Sequence, residues 1–255
     1  VSVPRFFAPD ASASALIELS RDEAHHLKHV LRLGPGAPVA VFDGQGREWA
    51  GRVASVGRRG ATLARLEAAT PVAEPSVRVT LAIGLLKSDQ MDTVVRDATM
   101  LGVSAVQPVI SARVAVARRA SGATGVPRWQ RVALASVKQC RRAVVPSIRP
   151  PAALPAVLDE VRSGGRSDVA APATLMFVEP GVGAPATPLC GSDWPDGPPA
   201  SALVLIGPEG GWSADEVDLA VRAGARLFHL GPRTLRAESA PVVALSAIWT
   251  TWGWS

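Results

Sequence analysis

Tyrosine is absent from this 255-residue chain, and cysteine occurs only twice, as Cys140 and Cys190. Two thiols so far apart in sequence cannot supply a disulfide framework, so they are read as free cysteines in a reducing compartment. No apolar run approaches the roughly 18–20 residues that a membrane-spanning helix requires. Val1 to Asp10 carries Arg5 within an otherwise apolar stretch, which is not the order of a secretion signal. A soluble, cytosolic protein without a membrane partner is therefore expected. No internal repeat is visible. There is neither a Walker phosphate loop nor a G-x-G-x-x-G turn, which removes the warrant for nucleoside triphosphate or dinucleotide chemistry. Histidine is also scarce, with four in all. His25 and His29 have the helical spacing of a zinc pair, but no cysteine nearby completes a ligand set, so no metal is expected.

What is present suits a folded, basic protein. Hydrophobic residues make up 47% and charged residues 19%, enough for a sizeable core. Lys and Arg number 27 against 22 Asp and Glu, a net charge of +5 carried mostly by arginine. The guanidinium fork matches phosphate and base edges, so a polyanionic partner is plausible on charge alone.

The chain changes character at Pro71–Ser76. Before this link, residues 38–43, 47–56 and 61–66 read as short strands separated by glycine turns such as Asp43-Gly44. One helix interrupts them: Ser20 and Glu23 form a capping-box pattern, and Ala24, Leu27, Val30 and Leu31 recur at helical spacing until Gly34. Residues 1–71 are read as a small β-barrel-like module. After the link, over 76–255, strands and helices alternate. Strands are expected at 77–86, 105–110, 173–178, 202–206 and 226–230. Helices are expected from Ser88, from Pro127 to Arg142, at 154–162, from Ser213 and from about Pro241. That alternation is the mark of an α/β domain with a mainly parallel sheet. Trp129, Trp249 and Trp252 sit at helical positions and are read as packing residues. Arg118-Arg119 falls in a Ser/Gly-rich stretch read as a loop that could clamp phosphate.

Two segments carry the candidate chemistry. Ile206-Gly207-Pro208-Glu209-Gly210-Gly211-Trp212-Ser213 lies where a strand ends and a helix begins, the place where open α/β sheets bind ligands. Its glycines allow close backbone approach, and Ser213 with Glu216 makes a second capping box. A tight turn without a ligand is the plain alternative. Leu230-Gly231-Pro232-Arg233-Thr234-Leu235-Arg236-Ala237-Glu238-Ser239-Ala240 follows the next strand, so it is expected beside the first loop. Here the plain alternative is a solvated loop holding an Arg–Glu pair.

Together these segments resemble the RsmE family of 16S ribosomal RNA uridine-N3 methyltransferases, within the SPOUT superfamily. The first matches GPEGG-aromatic-S-x-x-E through Glu216. The second is similar to LGxRILRxETA, with Thr234 for Ile and Glu238-Ser239-Ala240 for Glu-Thr-Ala. Arg5-Phe6-Phe7, His26 with Val30-Leu31-Arg32, Lys87–Met91 and Leu101-Gly102-Val103 extend the resemblance over essentially the whole chain. It departs from the pattern at Ser88, Asp97 and Met100, where the family usually has Gly, Lys and Glu.

The resemblance implies a PUA-like RNA-binding β-barrel followed by a SPOUT α/β domain with a trefoil knot. It also implies a homodimer, S-adenosyl-L-methionine as cofactor, and methylation of N3 of a uridine in 16S ribosomal RNA of the small subunit, uridine 1498 by resemblance. The implied cofactor loops hold Phe177, Val178 and Glu179; Leu205, Ile206, Gly207, Glu209, Gly210 and Gly211; and Leu230, Gly231, Leu235 and Arg236. Arg236 and Arg233 are candidates to stabilise charge on the base. Glu209 or Glu238 could accept its proton, although Glu209 could instead brace its own loop. Arg5, Arg32, Lys87, Arg113 and Arg142 are the candidate RNA contacts; DNA is not expected as a partner. The rival readings are a ribosome-assembly factor of the same fold, a small-molecule α/β enzyme, and a SPOUT relative acting on transfer RNA or a ribose hydroxyl.

Overall fold

A computed structural model describes residues 3–58, 60–114, 116–164, 171–181, 185–194 and 196–254, with the side chains of 116–124, 162–164 and 192 outside that description. Contacts divide the chain into two units: Val1–Glu74 with Val137–Val145, and Pro75–Ser136 with Pro146–Ser255.

The first unit is a five-stranded sheet in the order β1-β3-β4-β5-β2. Its strands are β1 (Arg5–Phe7), β2 (Leu16–Glu18), β3 (Pro38–Phe42), β4 (Glu48–Val56) and β5 (Ala61–Ala69). Alternating residues bury Phe6, Val39, Val41, Val53 and Leu63 in one core. The turn from β3 to β4 is closed by Asp43, whose carboxylate accepts the backbone N–H of Gln45 at 2.8 Å and of Arg47 at 3.1 Å. Gly44 takes φ +78° there, with the Phe7 ring 2.8 Å from where a Cβ would stand.

The helical interruption differs from the sequence reading. Helix α1 (Arg21–His25) passes into a π-helical turn, His26–Val30. Ser20 does cap it, accepting the Glu23 N–H, but Glu23 does not reach back to complete the box. Its buried carboxylate is taken by Lys138 Nζ, at 2.6 and 2.8 Å. The turn ends at Arg32 rather than Gly34: Arg32 adopts φ +53°, and Leu33 N–H donates to the Leu27 carbonyl. Glycine is the usual residue in that conformation.

Residues 137–145 are bound into this unit by buried charge. The Arg5 guanidinium forks onto Glu48 at 2.8 and 3.2 Å and donates to the carbonyls of Val137 and Arg142 at 2.9 and 2.8 Å. Arg142 pairs with Glu74. Val144 makes β-bridges to Gly44 and Gln45. The linker at 71–76 gives no sign of this returning segment, because nothing in the local sequence of 137–145 states its partner.

The second unit is a parallel sheet in the order β11-β13-β10-β12-β6-β7-β8. Its strands are β6 (Arg78–Gly84), β7 (Ala105–Ile110), β8 (Ser147–Ile148), β9 (Ala152–Ala153, paired with β7), β10 (Ala173–Phe177), β11 (Thr187–Pro188), β12 (Ser201–Ile206) and β13 (Arg226–His229). Strand alternation sends Leu175, Phe177, Val204 and Ile206 into a core with α2 (Ser88–Met100) and α6 (Ala240–Trp252). It sends Met176, Val178, Leu203 and Leu205 into a second core with α4 (Leu154–Gly164) and α5 (Ala214–Arg222). Both faces of the sheet are therefore covered, as a parallel sheet requires.

Helix α3 (Val116–Cys140) begins well before Pro127, which lies inside it. The Arg118-Arg119 stretch, read from sequence as a loop, is helical backbone, and the side chains of both arginines lie outside the description. Proline as a helix start is a preference that an interior position can override at a cost. Helix α2 is capped at Lys87, with Ser88 its first residue. Trp129, Trp249 and Trp252 are buried. No described helix is long and apolar enough to cross a membrane.

The Arg5 side chain is 5% exposed and Glu48 14%. Removing one partner of a buried pair leaves the other without compensation. Arg5→Ala is therefore expected to lower the unfolding free energy by about 3–5 kcal/mol, measured by urea denaturation. A loss below about 1 kcal/mol, the range of a surface pair, would mean that the network does not hold this unit.

Candidate functional site

A cavity of ≈ 360 Å³ opens in the second unit at the carboxyl ends of β10, β12 and β13. That size lies in the range of small-molecule sites, and strand ends are where parallel sheets present their loops. Its walls come from three loops. Phe177 ends β10 and Val178 and Glu179 follow it; Ile206 ends β12, followed by Gly207, Pro208, Glu209, Gly211 and Trp212; Leu230 and residues 233–238 follow β13.

The loop after β12 is packed too closely for side chains. A Cβ at Gly84, the last residue of β6, would lie 2.5 Å from the Pro208 ring and backbone. Gly211 has φ +66°, and a Cβ there would stand 3.3 Å from the Glu179 carboxyl group. Gly207 in turn lies against the Gly211 backbone. These contacts give the glycines a physical reason beyond flexibility.

Two polar ties hold the same loop to the segment after β7. Arg113 Nη1 donates to the Gly210 carbonyl at 2.7 Å. Glu216 accepts the N–H of Ala112 at 2.7 Å through one oxygen and that of Ser213 at 2.9 Å through the other. Ser213 Oγ accepts the Glu216 N–H at 3.2 Å, so the capping box expected at the start of α5 is complete.

The loop after β13 returns to α6 through a tight turn. The Arg236 carbonyl accepts from both Ser239 and Ala240, at 2.9 and 3.0 Å. The Arg236 side chain is 87% exposed at the cavity mouth, and its Nη1 stands 3.9 Å from Glu238 Oε1. Gln90, from α2, donates to Glu238 Oε2 at 3.1 Å. Arg113 and Arg233 also line the cavity, opposite in sign to Glu179, Glu209 and Glu238.

Most residues chosen from sequence for the cofactor loops meet here: Phe177, Val178, Glu179, Ile206, Gly207, Glu209, Gly211, Leu230, Leu235 and Arg236 all line the cavity. Leu205 does not. It points to the opposite face of the sheet and packs in the core with α5, because successive strand residues alternate. Gly210 lies against Arg113, and Gly231 makes a turn at φ +92° with its N–H donated to His229 Nδ1; neither lines the cavity.

The RNA candidates separate by burial. Arg32 and Lys87 are exposed. Arg113 is exposed and lines the cavity. Arg5 and Arg142 are 8% and 5% exposed and bound to glutamates and carbonyls, so the structure gives them a stabilising role in place of RNA contact. Residue type cannot distinguish a buried arginine from a free one.

Gln90, Gly84 and Trp212 were not named as site residues from sequence, although Trp212 stands in the first loop motif and Gln90 in the Lys87–Met91 segment. Gly84 ends an otherwise apolar strand, which is a usable signal of close backbone approach. Gln90 lies in the Lys87–Met91 segment, but its contact with a partner 148 positions away has no local sign. The His25 and His29 rings are 4.7 Å apart, and no cluster of three metal-ligating side chains occurs among the described residues.

Residues 73–249 match the family model of an RNA methyltransferase domain, and residues 19–64 match that of an RNA methyltransferase PUA domain. The chain is 31% identical to ribosomal RNA small subunit methyltransferase E of Synechocystis sp., over 94% of this chain and 75% of that one. Among solved structures, ribosomal RNA small subunit methyltransferase E from Neisseria gonorrhoeae bound to S-adenosyl methionine is similar with a TM-score of 0.85, at 30% identity over 98% of each chain. A methyltransferase from Legionella pneumophila in complex with the cofactor SAM gives 0.81, at 26% identity over 98% of each.

Gly84→Ala should destabilise the second unit by about 1–3 kcal/mol through overpacking against Pro208. Gly34→Ala, which meets nothing within 4 Å, should not be destabilising. Equal urea midpoints for the two variants would contradict the close approach.

Proposed function

The chain belongs to the RNA methyltransferase family, in its ribosomal RNA small subunit methyltransferase E branch, and we propose that it uses S-adenosyl-L-methionine to methylate N3 of a uridine in 16S ribosomal RNA. By resemblance the position is uridine 1498. The observation that carries this reading is the cavity itself, where the GPEGG loop and the LGPRTLR loop meet at the ends of neighbouring strands.

The residues present fit the cofactor. Phe177, Ile206, Leu230 and Leu235 offer apolar walls for an adenosyl group, and Gly207 and Gly211 bring backbone to the cavity wall without a side chain. Backbone of the loops after β12 and β13 would hold its polar edges. When bound, the cofactor supplies an electrophilic methyl group on a sulfonium centre.

The work left to the protein lies with the acceptor. Uridine N3 carries a weakly acidic proton, and its loss spreads negative charge onto O2 and O4. Arg236, exposed at the mouth, would offer a cationic donor to a base entering from solvent. Glu209, exposed on the adjacent loop, would accept the N3 proton directly or through water. Arg32, Lys87 and Arg113 would contact RNA phosphates and position the strand, while an extruded base in the cavity sets specificity. The substrate is proposed as the small ribosomal subunit in the cytoplasm. The active form is proposed as a homodimer, and the loops after β12 and β13 as parts of a trefoil knot. In the sheet the later strands β12 and β13 lie on either side of β10.

Calorimetry with S-adenosylmethionine should show saturable binding that Gly211→Val abolishes. Small subunits lacking the modification should then gain 3-methyluridine, read by mass spectrometry of nucleosides. Arg236→Ala should lower kcat on the order of 10²–10³-fold, the effect of losing one charge-stabilising donor. Glu209→Gln should be slow at neutral pH and recover as rising pH ionises the uridine itself. Absence of cofactor binding with and without RNA would overturn the reading.

A further inference from the structure

We infer that Gln90 is a positioning residue for methyl transfer, acting from α2 through Glu238 on Arg236; this rests on the proposed reaction. Its side-chain amide is oriented by two partners of opposite kind. Oε1 accepts the backbone N–H of Lys87 at 3.3 Å, and Nε2 donates to Glu238 Oε2 at 3.1 Å. Turning the amide over would set NH₂ against an N–H and oxygen against a carboxylate, so only one orientation satisfies both. The first contact belongs to the helix start, because Lys87 caps α2 and its N–H lacks an intrahelical acceptor. The amide is thus fixed by secondary structure before it meets the carboxylate.

Glu238 is consequently held by one oxygen. Its Oε2 faces Gln90, and Oε1 is the oxygen turned to Arg236, 3.9 Å from Nη1. Glu238 is 20% exposed, whereas Arg236 is 87% exposed. A side chain as long and exposed as that samples many rotamers unless a fixed partner biases it. The carboxylate supplies that bias, and Gln90 fixes the carboxylate. Both ends of the relay rest on framework: Gln90 on the first turn of α2, and Glu238 on the turn in which Ser239 and Ala240 donate to the Arg236 carbonyl. Helices α2 and α6 are themselves tied by Trp249 Nε1 donating to the Leu101 carbonyl at 2.7 Å. The start of α2 therefore belongs to the working apparatus, although it lies outside both glycine-rich loops.

Steady-state kinetics on small subunits, calorimetry and NMR test this in the full chain. Gln90→Leu should lower kcat about 10- to 100-fold, the scale of a misplaced group, with cofactor affinity within about twofold of the parent on that same scale. The losses from Gln90→Leu and Glu238→Gln should not multiply in the double variant, because the two residues act in series. Gln90→Glu puts a carboxyl group against Glu238, and two such groups share a proton. Once protonated, the introduced carboxyl group donates where the amide did, so the ratio of variant to parent kcat should rise as pH falls. In the cofactor-free protein, the Gln90 side-chain NH₂ resonance should shift in Glu238→Gln. Unchanged kcat in Gln90→Leu, independent losses, or a flat pH ratio would overturn the inference. A parent protein that neither binds cofactor nor methylates would instead remove the proposed function, while the NMR contact is still read independently.

Discussion

The loop from Gly207 to Gly211 can lie where it does only because Gly84 has no side chain. Pro208 occupies the volume that a Cβ on Gly84 would take, 2.5 Å from its position. That approach sets the height of the whole loop above the sheet. Once the loop is there, Gly211 must pass close to Glu179, and Gly210 meets Arg113. Strands β6, β10 and β12 and the segment after β7 thus all bear on five residues. The cavity lies beside this loop, walled by it and by side chains from the loops after β10 and β13.

Such packing leaves polar groups to satisfy, and Glu216 satisfies several at once. It caps α5, takes the Ala112 N–H, and thereby fastens the β7 loop to the β12 loop. Neither tie is strong alone, since a single hydrogen bond of this kind contributes about 0.5–1.5 kcal/mol. Their effect is geometric: each removes a freedom that the cavity wall would otherwise have. Arg236 and Glu209 are exposed, and under the proposed function their interactions with a base would strengthen as water is displaced.

Much of this was legible because it is local. The ten-residue GPEGG-W-S-x-x-E segment, placed directly after a strand end, encodes a close turn and a capped helix, and the structure shows each of them. The sheet strands of the second unit were legible for a similar reason, as apolar runs bounded by turns. What escaped the sequence was long-range or a matter of competition. Glu23 looked like half of a capping box, yet a lysine from the far end of α3 offers a charged partner that outweighs one backbone N–H. Pro127 looked like a helix start and lies inside a helix. Arg32, not Gly34, takes the left-handed turn after the π-helical residues. Leu205 was chosen with its neighbours, and the period of a strand turns it away.

The misread arginines have a consequence for how this chain meets a polyanion. Arg5 with Glu48, Lys138 with Glu23 and Arg142 with Glu74 are largely buried ion pairs. Each cancels itself and leaves the net charge of +5 untouched. The excess must then sit among the remaining, more exposed cations rather than spread evenly over all 27. Affinity for RNA, and its sensitivity to salt, follows the number of cations that reach phosphate, not the number in the sequence. Internal pairing therefore sharpens the field: it withdraws arginines from the surface without lowering the total, and what attraction remains is concentrated on fewer positions.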